Sequence, residues 1–397
     1  MSTSRFAVFL TIVLGIWTVL HLYVFARAGS VPVVTAHLSR RSLLVLGTVL
    51  WASYPVARLL QSWGWERLGQ LLEFAGAMWI GTLFLLFVAL LAVDLISLGG
   101  WLLPRLAPSL RAGALGLAGA LAVVASVQGL RPPAVRDYTV HLADLPAQHD
   151  GLVVVVLTDL HLGTLLGQRW LEVVLDQVQR LKPDLVAVVG DLVDGNVRRV
   201  EPLVPTLRKL RAPLGVWGVT GNHEFYAGLD ASVRLLETAG YRVLRDQWAE
   251  VAPGLLIAGV DDLTARRQFG LNDQPVAKAL ANRPSGAVIL LSHSPLEAET
   301  AAAAGASLML CGHTHAGQIW PFGYLVRLRY KLLAGQTQVN GMPVIVSRGT
   351  GTWGPRMRLW RRGEMLRVTL RTAGSVPGQA PDAATGAAAP LAPGTSI

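Results

Sequence analysis

Cys311-Gly312-His313-Thr314-His315-Ala316-Gly317-Gln318 follows directly on an apolar run, Ala306 to Leu310. A strand ending there delivers two imidazoles into a loop. Neutral imidazole is the commonest side-chain metal ligand, and the glycine before the pair lets backbone and side chains turn toward a shared centre. Taken alone, the pair could equally be a polar turn at a strand end. The rest of the histidine inventory decides between the two.

Working back from that stretch, the same arrangement recurs. Asp159 and His161 follow the β-branched run Val153 to Leu157, and Gly190-Asp191 follows Leu185 to Val189. Thr220-Gly221-Asn222-His223-Glu224 follows Gly215 to Val219, and Ser292-His293 follows Val288 to Leu291. Each short apolar run reads as a buried strand. The stretches between them recur at helical spacing, as in Leu171, Val174, Leu175, Val178 and Leu181. Helical segments are also expected over Val197 to Leu210 and Leu229 to Ala239. Further strands are expected near Tyr241 to Leu244, Leu255 to Val260, Pro343 to Ser347 and Met365 to Leu370. This is an α/β layered domain, in which ligands gather beyond the strand ends at one edge.

The chain of 397 residues is 52% hydrophobic and 15% charged, too apolar for a wholly soluble protein. The excess lies at the front. Phe6 to Phe25, Leu43 to Leu60, Leu71 to Val93 and Ala112 to Leu130 each approach the roughly 20 residues that cross a bilayer. We therefore expect four transmembrane helices within residues 1–130, the α/β layered domain over 131–371, and a disordered Ala/Pro/Gly tail over 372–397. His21, Arg58 and Glu73 fall near segment ends, and Asp94 falls just past the third segment with no charged partner evident at bilayer depth. Gly113, Gly116, Gly119 and Ala120 suggest a small-residue face for close helix packing. Arginines are balanced across the two sides, so the positive-inside rule does not orient the chain. The net charge of +10 favours acidic partners, which beside a membrane are lipid head groups and phosphates. Cys311 is the single cysteine and cannot form an internal disulfide.

In order, Asp159-x-His161, Gly190-Asp191, Gly221-Asn222-His223-Glu224, His293 and Gly312-His313-x-His315 resemble the motif blocks of the calcineurin-like metallophosphoesterase superfamily. The likeness to a membrane-associated bacterial branch continues through Ala316-Gly317-Gln318 and Ser347-Arg348-Gly349. It covers roughly residues 150 to 371, and Gly363-Glu364 departs from the Pro-Glu expected there. The resemblance implies a central β-sandwich flanked by helices that holds two divalent metal ions, with Mn, Fe or Zn suited to mixed N/O ligation. Asp191 would bridge the ions; Asp159, His161 and His315 would complete one site, and Asn222, His293 and His313 the other. Two metals about 4 Å apart make a bridging hydroxide an in-line nucleophile on phosphorus. His223 would stabilise or protonate the leaving group. Glu224 reads as a supporting residue, and Asp194, Asp261 and Asp262 are either part of the site or solvated loop acids.

The expected function is a membrane-anchored, two-metal phosphoesterase of a bacterial inner membrane. It would act on a lipid-linked phosphate ester or pyrophosphate, with UDP-2,3-diacylglucosamine as a candidate by resemblance. Membrane lipids are the expected partners and nucleic acid is not. A phosphodiesterase or nuclease of the same superfamily, or a scaffold with a retained fold, are the alternatives. The aromatic and basic segment Ile319 to Leu333 is the expected lipid entrance. Gly349-Thr350-Gly351-Thr352-Trp353-Gly354 fits a dinucleotide fingerprint, but Pro355 and arginines follow it instead of a helix, so it is read as a tight closing loop.

Overall fold

A computed structural model describes residues 3–271 and 273–373. The expected tail from 374 lies outside the described residues, and Thr372 closes the last strand. Four long helices come first: α1 (Thr3–Ala28), α2 (Arg40–Ser62), α3 (Glu66–Ser97) and α4 (Ala107–Leu130). All four are long and apolar enough to cross a membrane.

Two expectations for this bundle are corrected. Gly113, Gly116 and Gly119 face open space, so they pack against nothing. The stripe that does pack is Ala114, Ala118, Ala122 and Ala125, on another face of α4. Asp94 is not an isolated acid past a helix end. It is buried inside α3 and lies 2.6 Å from Arg27 Nε and 2.8 Å from an Arg111 terminal nitrogen, with Tyr23 donating at 2.7 Å. A buried carboxylate persists only when paired, and here two guanidinium groups from other helices pair it. No spacing rule links those positions, so the sequence alone could not bring them together.

Among the described residues, twelve strands follow in two sheets. They are β1 (Ala134–Leu142), β2 (Val153–Leu157), β3 (Leu185–Val189), β4 (Val216–Val219), β5 (Arg242–Val243), β6 (Gln247–Ala252), β7 (Leu255–Gly259), β8 (Ala287–Leu291), β9 (Leu308–Cys311), β10 (Gly335–Val339), β11 (Met342–Val346) and β12 (Glu364–Thr372). One sheet runs β1-β12-β2-β3-β4-β5 and the other β10-β11-β9-β8-β7-β6. Strands β2 to β5 are mutually parallel, as are β7, β8, β9 and β11, so their C-terminal ends collect at one edge of each sheet.

The two-residue period of a strand sorts the core. Val154, Val156, Ala187 and Val189 point between the sheets and meet Ile257, Ile289, Leu291 and Leu310. Val155, Val186 and Val188 point outward onto Leu171, Val174 and Val178 of α5 (Gln168–Arg180). On the far side Leu256, Val288 and Met309 carry Leu263, Val276 and Ala301 from three short helices. These are α8 (Leu263–Phe269), α9 (Pro275–Leu280) and α10 (Ala298–Ala303); between α5 and α8 come α6 (Asn222–Ala227) and α7 (Leu229–Thr238). The result is a helix, sheet, sheet, helix sandwich, as the resemblance implied. The helix expected over Val197 to Leu210 is instead a set of single turns, because Pro202 and Pro205 withhold the N–H groups a continuous helix needs.

The sandwich is docked on the bundle. Ile319, Met357 and Leu359 bury against Leu85, Ala118, Ala122 and Ala125, and the Arg358 backbone N–H donates to the Ala125 carbonyl at 2.8 Å. Gly129 permits the approach, since a Cβ there would lie 2.4 Å from the Arg356 carbonyl oxygen.

Candidate metal centre

The strand ends deliver their polar residues to one point between the two sheets and the bundle. Five of the residues singled out from the sequence, Asp159, His161, Asp191, His313 and His315, take the left-handed backbone conformation, with φ between 44° and 70°. Non-glycine residues adopt it at a cost of about 1–3 kcal/mol each, and such strain collects where side chains must be aimed. It turns each side chain out of the strand direction and into the shared centre.

Three groups of donors form there. Asp159, His161 and His315 offer ligand atoms mutually within 4.8 Å, and so do Asp191, His293 and His313, and His161, Asp194 and His223. Asp191 Oδ2 lies 3.1 Å from His293 Nε2 and 3.7 Å from His161 Nε2, touching one histidine of each group. His161 Nε2 and His315 Nε2 are 3.1 Å apart, and His315 Nε2 is 3.3 Å from Asp159 Oδ1. The side-chain oxygen of Asn222 is buried without a hydrogen-bond partner, as is His161 Nδ1.

His293 tests whether this set fits a cation. Its Nδ1 sits 2.8 Å from the Val189 carbonyl, which can only accept, so Nδ1 carries the proton. In the neutral ring the bare Nε2 then faces the Asp191 carboxylate, lone pair against negative charge. Only a proton or a metal ion relieves that contact. Together with the orphaned Asn222 oxygen and the buried carboxylates, the donor set fits divalent ions that take mixed N/O ligation.

Without a cation, the site's charges strain against each other. Burial opposes protonation of His293, but Asp191 outweighs it and lifts the imidazole well above its ordinary range. Burial pushes His161 down to about 3 and His313 down to about 4. Burial and then the Arg358 guanidinium push His315 well below its usual value. Neutral histidines beside carboxylates are the protonation state that metal ligation requires.

Supporting groups hold these donors in place. Glu224, fully buried, accepts from the backbone N–H groups of Asp191 at 2.9 Å, Val193 at 2.9 Å and Gly221 at 2.7 Å. It ties the exit of β3 to that of β4. Asp191 Oδ1 accepts from the His223 backbone N–H at 2.9 Å. His223 Nδ1 is 2.9 Å from Asp194 Oδ1, which leaves Nε2 as the free ring nitrogen. Burial disfavours the imidazolium, yet Asp191 and Asp194 raise His223 to about 9. Asp194 thus belongs to the site, whereas Asp261 is engaged by Arg245 at 2.9 Å, and Asp262 caps α8 by accepting from Ala265 N at 2.6 Å.

Three contributors went unrecognised in the sequence. The Tyr330 hydroxyl lies 2.7 Å from His313 Nε2, leaving Nδ1 for a cation. Arg358, fully buried, reaches His315 Nδ1 at 3.2 Å and donates to the Gly351 carbonyl at 2.6 Å. Glu364, far away in sequence, accepts from the Arg348 backbone at 2.9 Å and its guanidinium at 2.8 Å, fixing the loop behind the site. Tyr330 reads locally as part of the aromatic and basic segment and Glu364 as part of the Gly363-Glu364 pair, but no local pattern announces the contacts they make here. The loop from Gly349 closes over the centre as expected: Thr350 N donates to Thr158 O at 2.8 Å and Gly351 N to Asp159 O at 2.9 Å.

The centre opens into a cleft of about 490 Å3. Its floor carries His161, Asp191, Asn222, His223, His313 and His315. Its opposite wall comes from the bundle: Trp17 and Leu20 of α1, and Ile80, Gly81 and Phe84 of α3.

Comparison with known proteins agrees with this architecture. The family model of the calcineurin-like phosphoesterases matches residues 152–317. The chain is 36% identical over 246 residues to an uncharacterized metallophosphoesterase of Aquifex aeolicus, covering 61% of this chain and 93% of that one. It is 35% identical over 272 residues to a transmembrane protein with metallophosphoesterase domain from Danio rerio, covering 66% of this chain and 62% of the relative. A protein of the same description from Bos taurus is 34% identical over 275 residues, covering 64% and 60% respectively. The alignment therefore spans less than two thirds of the length of the two vertebrate relatives.

Proposed function

The chain belongs to the calcineurin-like metallophosphoesterases, and from that premise we propose a membrane-anchored phosphoesterase that hydrolyses a lipid-linked phosphate ester or pyrophosphate. The observation that carries the reading is the cleft shared by the histidine and carboxylate cluster and the apolar side chains of α1 and α3. A soluble substrate has no need of such a wall. A lipid ester needs one, because its tail must stay out of water while its phosphate meets the polar centre.

Asp159, His161 and His315 would hold one divalent ion and Asn222, His293 and His313 the other, with Asp191 between them. When bound, such ions polarise a phosphoryl oxygen and make water a competent nucleophile at neutral pH. The chain's own residues do the rest. His223 holds a proton at Nε2 for the departing oxygen, and Asp194 fixes the ring by its hydrogen bond to Nδ1. Tyr330 sets the orientation of His313, and Glu224 holds the Asp191 loop.

The exposed segment beyond the histidine pair supports a membrane setting. In α11 (Gly323–Arg329) Tyr324 is 65%, Leu325 57% and Leu328 86% exposed, whereas Leu332 just beyond it packs against the sandwich. Trp320 and Phe322 are exposed beside them, and Phe322 packs edge-on to Phe84 of α3 with ring centroids 5.8 Å apart. Aromatic and basic residues of this kind favour the head-group layer. The bundle would cross a bacterial inner membrane as a multi-pass anchor. A nuclease reading has less support, because the bundle gives the cleft an apolar wall of Trp17, Leu20, Ile80 and Phe84 with no basic side chain among them.

The test is a hydrolysis screen of the full-length protein in detergent with Mn, Mg or Zn. Substrates would be p-nitrophenyl phosphate, bis-p-nitrophenyl phosphate, UDP-2,3-diacylglucosamine and prenyl or diacyl phosphate esters. The reading expects kcat/KM at least tenfold higher on lipid-linked substrates than on small soluble esters. Equal or lower values on every lipid substrate would overturn it.

A further inference from the structure

Beside the histidine pair lies a second space, a pocket of about 290 Å3 that shares only His315 and Gln318 with the metal cleft. Its wall holds four arginines, Arg327, Arg348, Arg358 and Arg361, and no carboxylate. Arg348 is neutralised from outside the pocket by Glu364, at 2.8 Å. The other three have no ion-pair partner among the described residues. Arg358 spends its donors on His315 Nδ1 and on the carbonyls of Arg348 and Gly351, and its Nε is buried without a hydrogen-bond partner. Arg327 and Arg361 are exposed. Like charges gathered without a compensating acid repel one another until an anion enters between them.

The remaining walls say what kind of anion fits. Trp320, Tyr324 and Trp360 line the pocket and stay exposed. Trp360 takes the left-handed backbone conformation, φ 77°, which a residue with a Cβ keeps only at a cost, and its indole is left in the open instead of in the core. Leu325 and Leu328 of α11 flank Arg327 in sequence and are exposed as well. The pocket also lies against the bundle. Leu359, one of its lining residues, buries on Leu85, Ala118 and Ala122, and Phe322, between the lining residues Pro321 and Gly323, packs on Phe84 of α3. Unpaired guanidinium groups, exposed indoles and exposed leucines beside apolar helices complement a phosphate diester that carries acyl chains.

We propose that this pocket is a binding site for an anionic glycerophospholipid that is held without being hydrolysed. Its phosphate would pair with Arg327 and Arg361, its head group would lie among Trp320, Tyr324 and Trp360, and its acyl chains would run past Leu325 and Leu328. A space of this size takes a head group and leaves the chains outside, in the bilayer. The lipid would sit across His315 from the metal cleft, so it occupies a place separate from the substrate. The assignment uses the membrane setting of the bundle and is independent of which ester the centre hydrolyses.

The experiment uses the full chain in detergent micelles and reads bound lipid by native mass spectrometry. Dioleoylphosphatidylglycerol is the probe, dioleoylphosphatidylcholine the control with the same chains and no net charge, and sodium phosphate the control without chains. One phosphatidylglycerol per chain should bind about tenfold more tightly than phosphatidylcholine, the size of one charge-assisted hydrogen bond, and excess phosphate should not displace it. In the double variant Arg327→Gln, Arg361→Gln that preference should vanish while the thermal unfolding midpoint stays as in wild type. No preference in wild type, a preference unchanged in the variant, or displacement by phosphate would each overturn the site. A second readout needs no variant and uses phosphatidylglycerol with a diazirine in its acyl chain. Labelling within residues 320–333 supports the proposal, and labelling confined to residues 13–20 and 80–84, beside the metal cleft, overturns it. Neither readout involves turnover, so the lipid-linked substrate can fail without this site failing.

Discussion

Glu224→Ala should cripple the site without touching a single candidate metal ligand. The Glu224 carboxylate is the acceptor for three buried backbone N–H groups, those of Asp191, Val193 and Gly221, at 2.7 to 2.9 Å. Each buried donor left without an acceptor costs about 1–3 kcal/mol. Even with water entering the space, the total should reach about 3 kcal/mol, well above the roughly 1 kcal/mol of a typical substitution. For a domain of this size 1 kcal/mol shifts the melting midpoint by about 2–4 °C, so a drop of about 6–12 °C is expected. Because the Asp191 loop is no longer tied to β4, metal affinity should fall as well, by about 10- to 100-fold. Glu224→Gln, which keeps one acceptor oxygen, should fall between wild type and Ala. The assay is thermal unfolding of EDTA-treated full-length protein in detergent, followed by metal titration. A midpoint within 2 °C of wild type, with unchanged metal affinity, would refute the reasoning.

His223→Ala should bind metal and fold as wild type does, yet lose about 10² in turnover or more, with a smaller loss on nitrophenyl esters whose leaving group needs no proton. An equal loss on alkyl and nitrophenyl esters would instead mark a structural role. The pH profile should report the Asp194 contact. Asp191 and Asp194 both lift His223 above the ordinary histidine range, and of the two only the Asp194 hydrogen bond is independent of the cations that Asp191 would hold, so the acid form is lost as pH rises through the raised value. In Asp194→Asn the basic limb of kcat should move to lower pH, and an unmoved limb would exclude His223 as the proton donor. Strand and helix count alone predicts that residues 131–371, separated from the bundle, fold as a soluble domain. The docking of Ile319, Met357 and Leu359 on α3 and α4 revises that expectation. Freed from the bundle, the domain should retain metal binding but aggregate unless detergent is present, and a monodisperse detergent-free domain would show the docking to be dispensable.

The candidate ligands were legible because each lies two to four residues beyond an apolar strand, and metal chemistry restricts those positions to a few residue types. Strand exits in a parallel sheet converge, so local motifs sufficed to predict a shared centre. The residues that hold the ligands carry no such restriction. Tyr330, Arg358 and Glu364 act through contacts between separate segments, and their neighbours do not indicate those partners. Edge strands β1, β6 and β10 escaped notice because their faces are partly exposed and their sequences mix polar with apolar residues. In the bundle, hydropathy revealed the spans but not their faces. A glycine stripe and an alanine stripe wind along the same helix, and only packing against α3 selects the alanines. Asp94 likewise found two arginines that no periodicity connects to it.

The central claim is that Asp191 joins two metal sites, since its carboxylate lies 3.1 Å from His293 and 3.7 Å from His161. Elemental analysis of full-length wild type and Asp191→Asn, purified in parallel and assayed for phosphoesterase turnover, tests this most directly. Wild type should carry two divalent ions per chain, while Asp191→Asn should carry fewer than one and lose turnover with them. Two ions and normal turnover in Asp191→Asn would contradict the account.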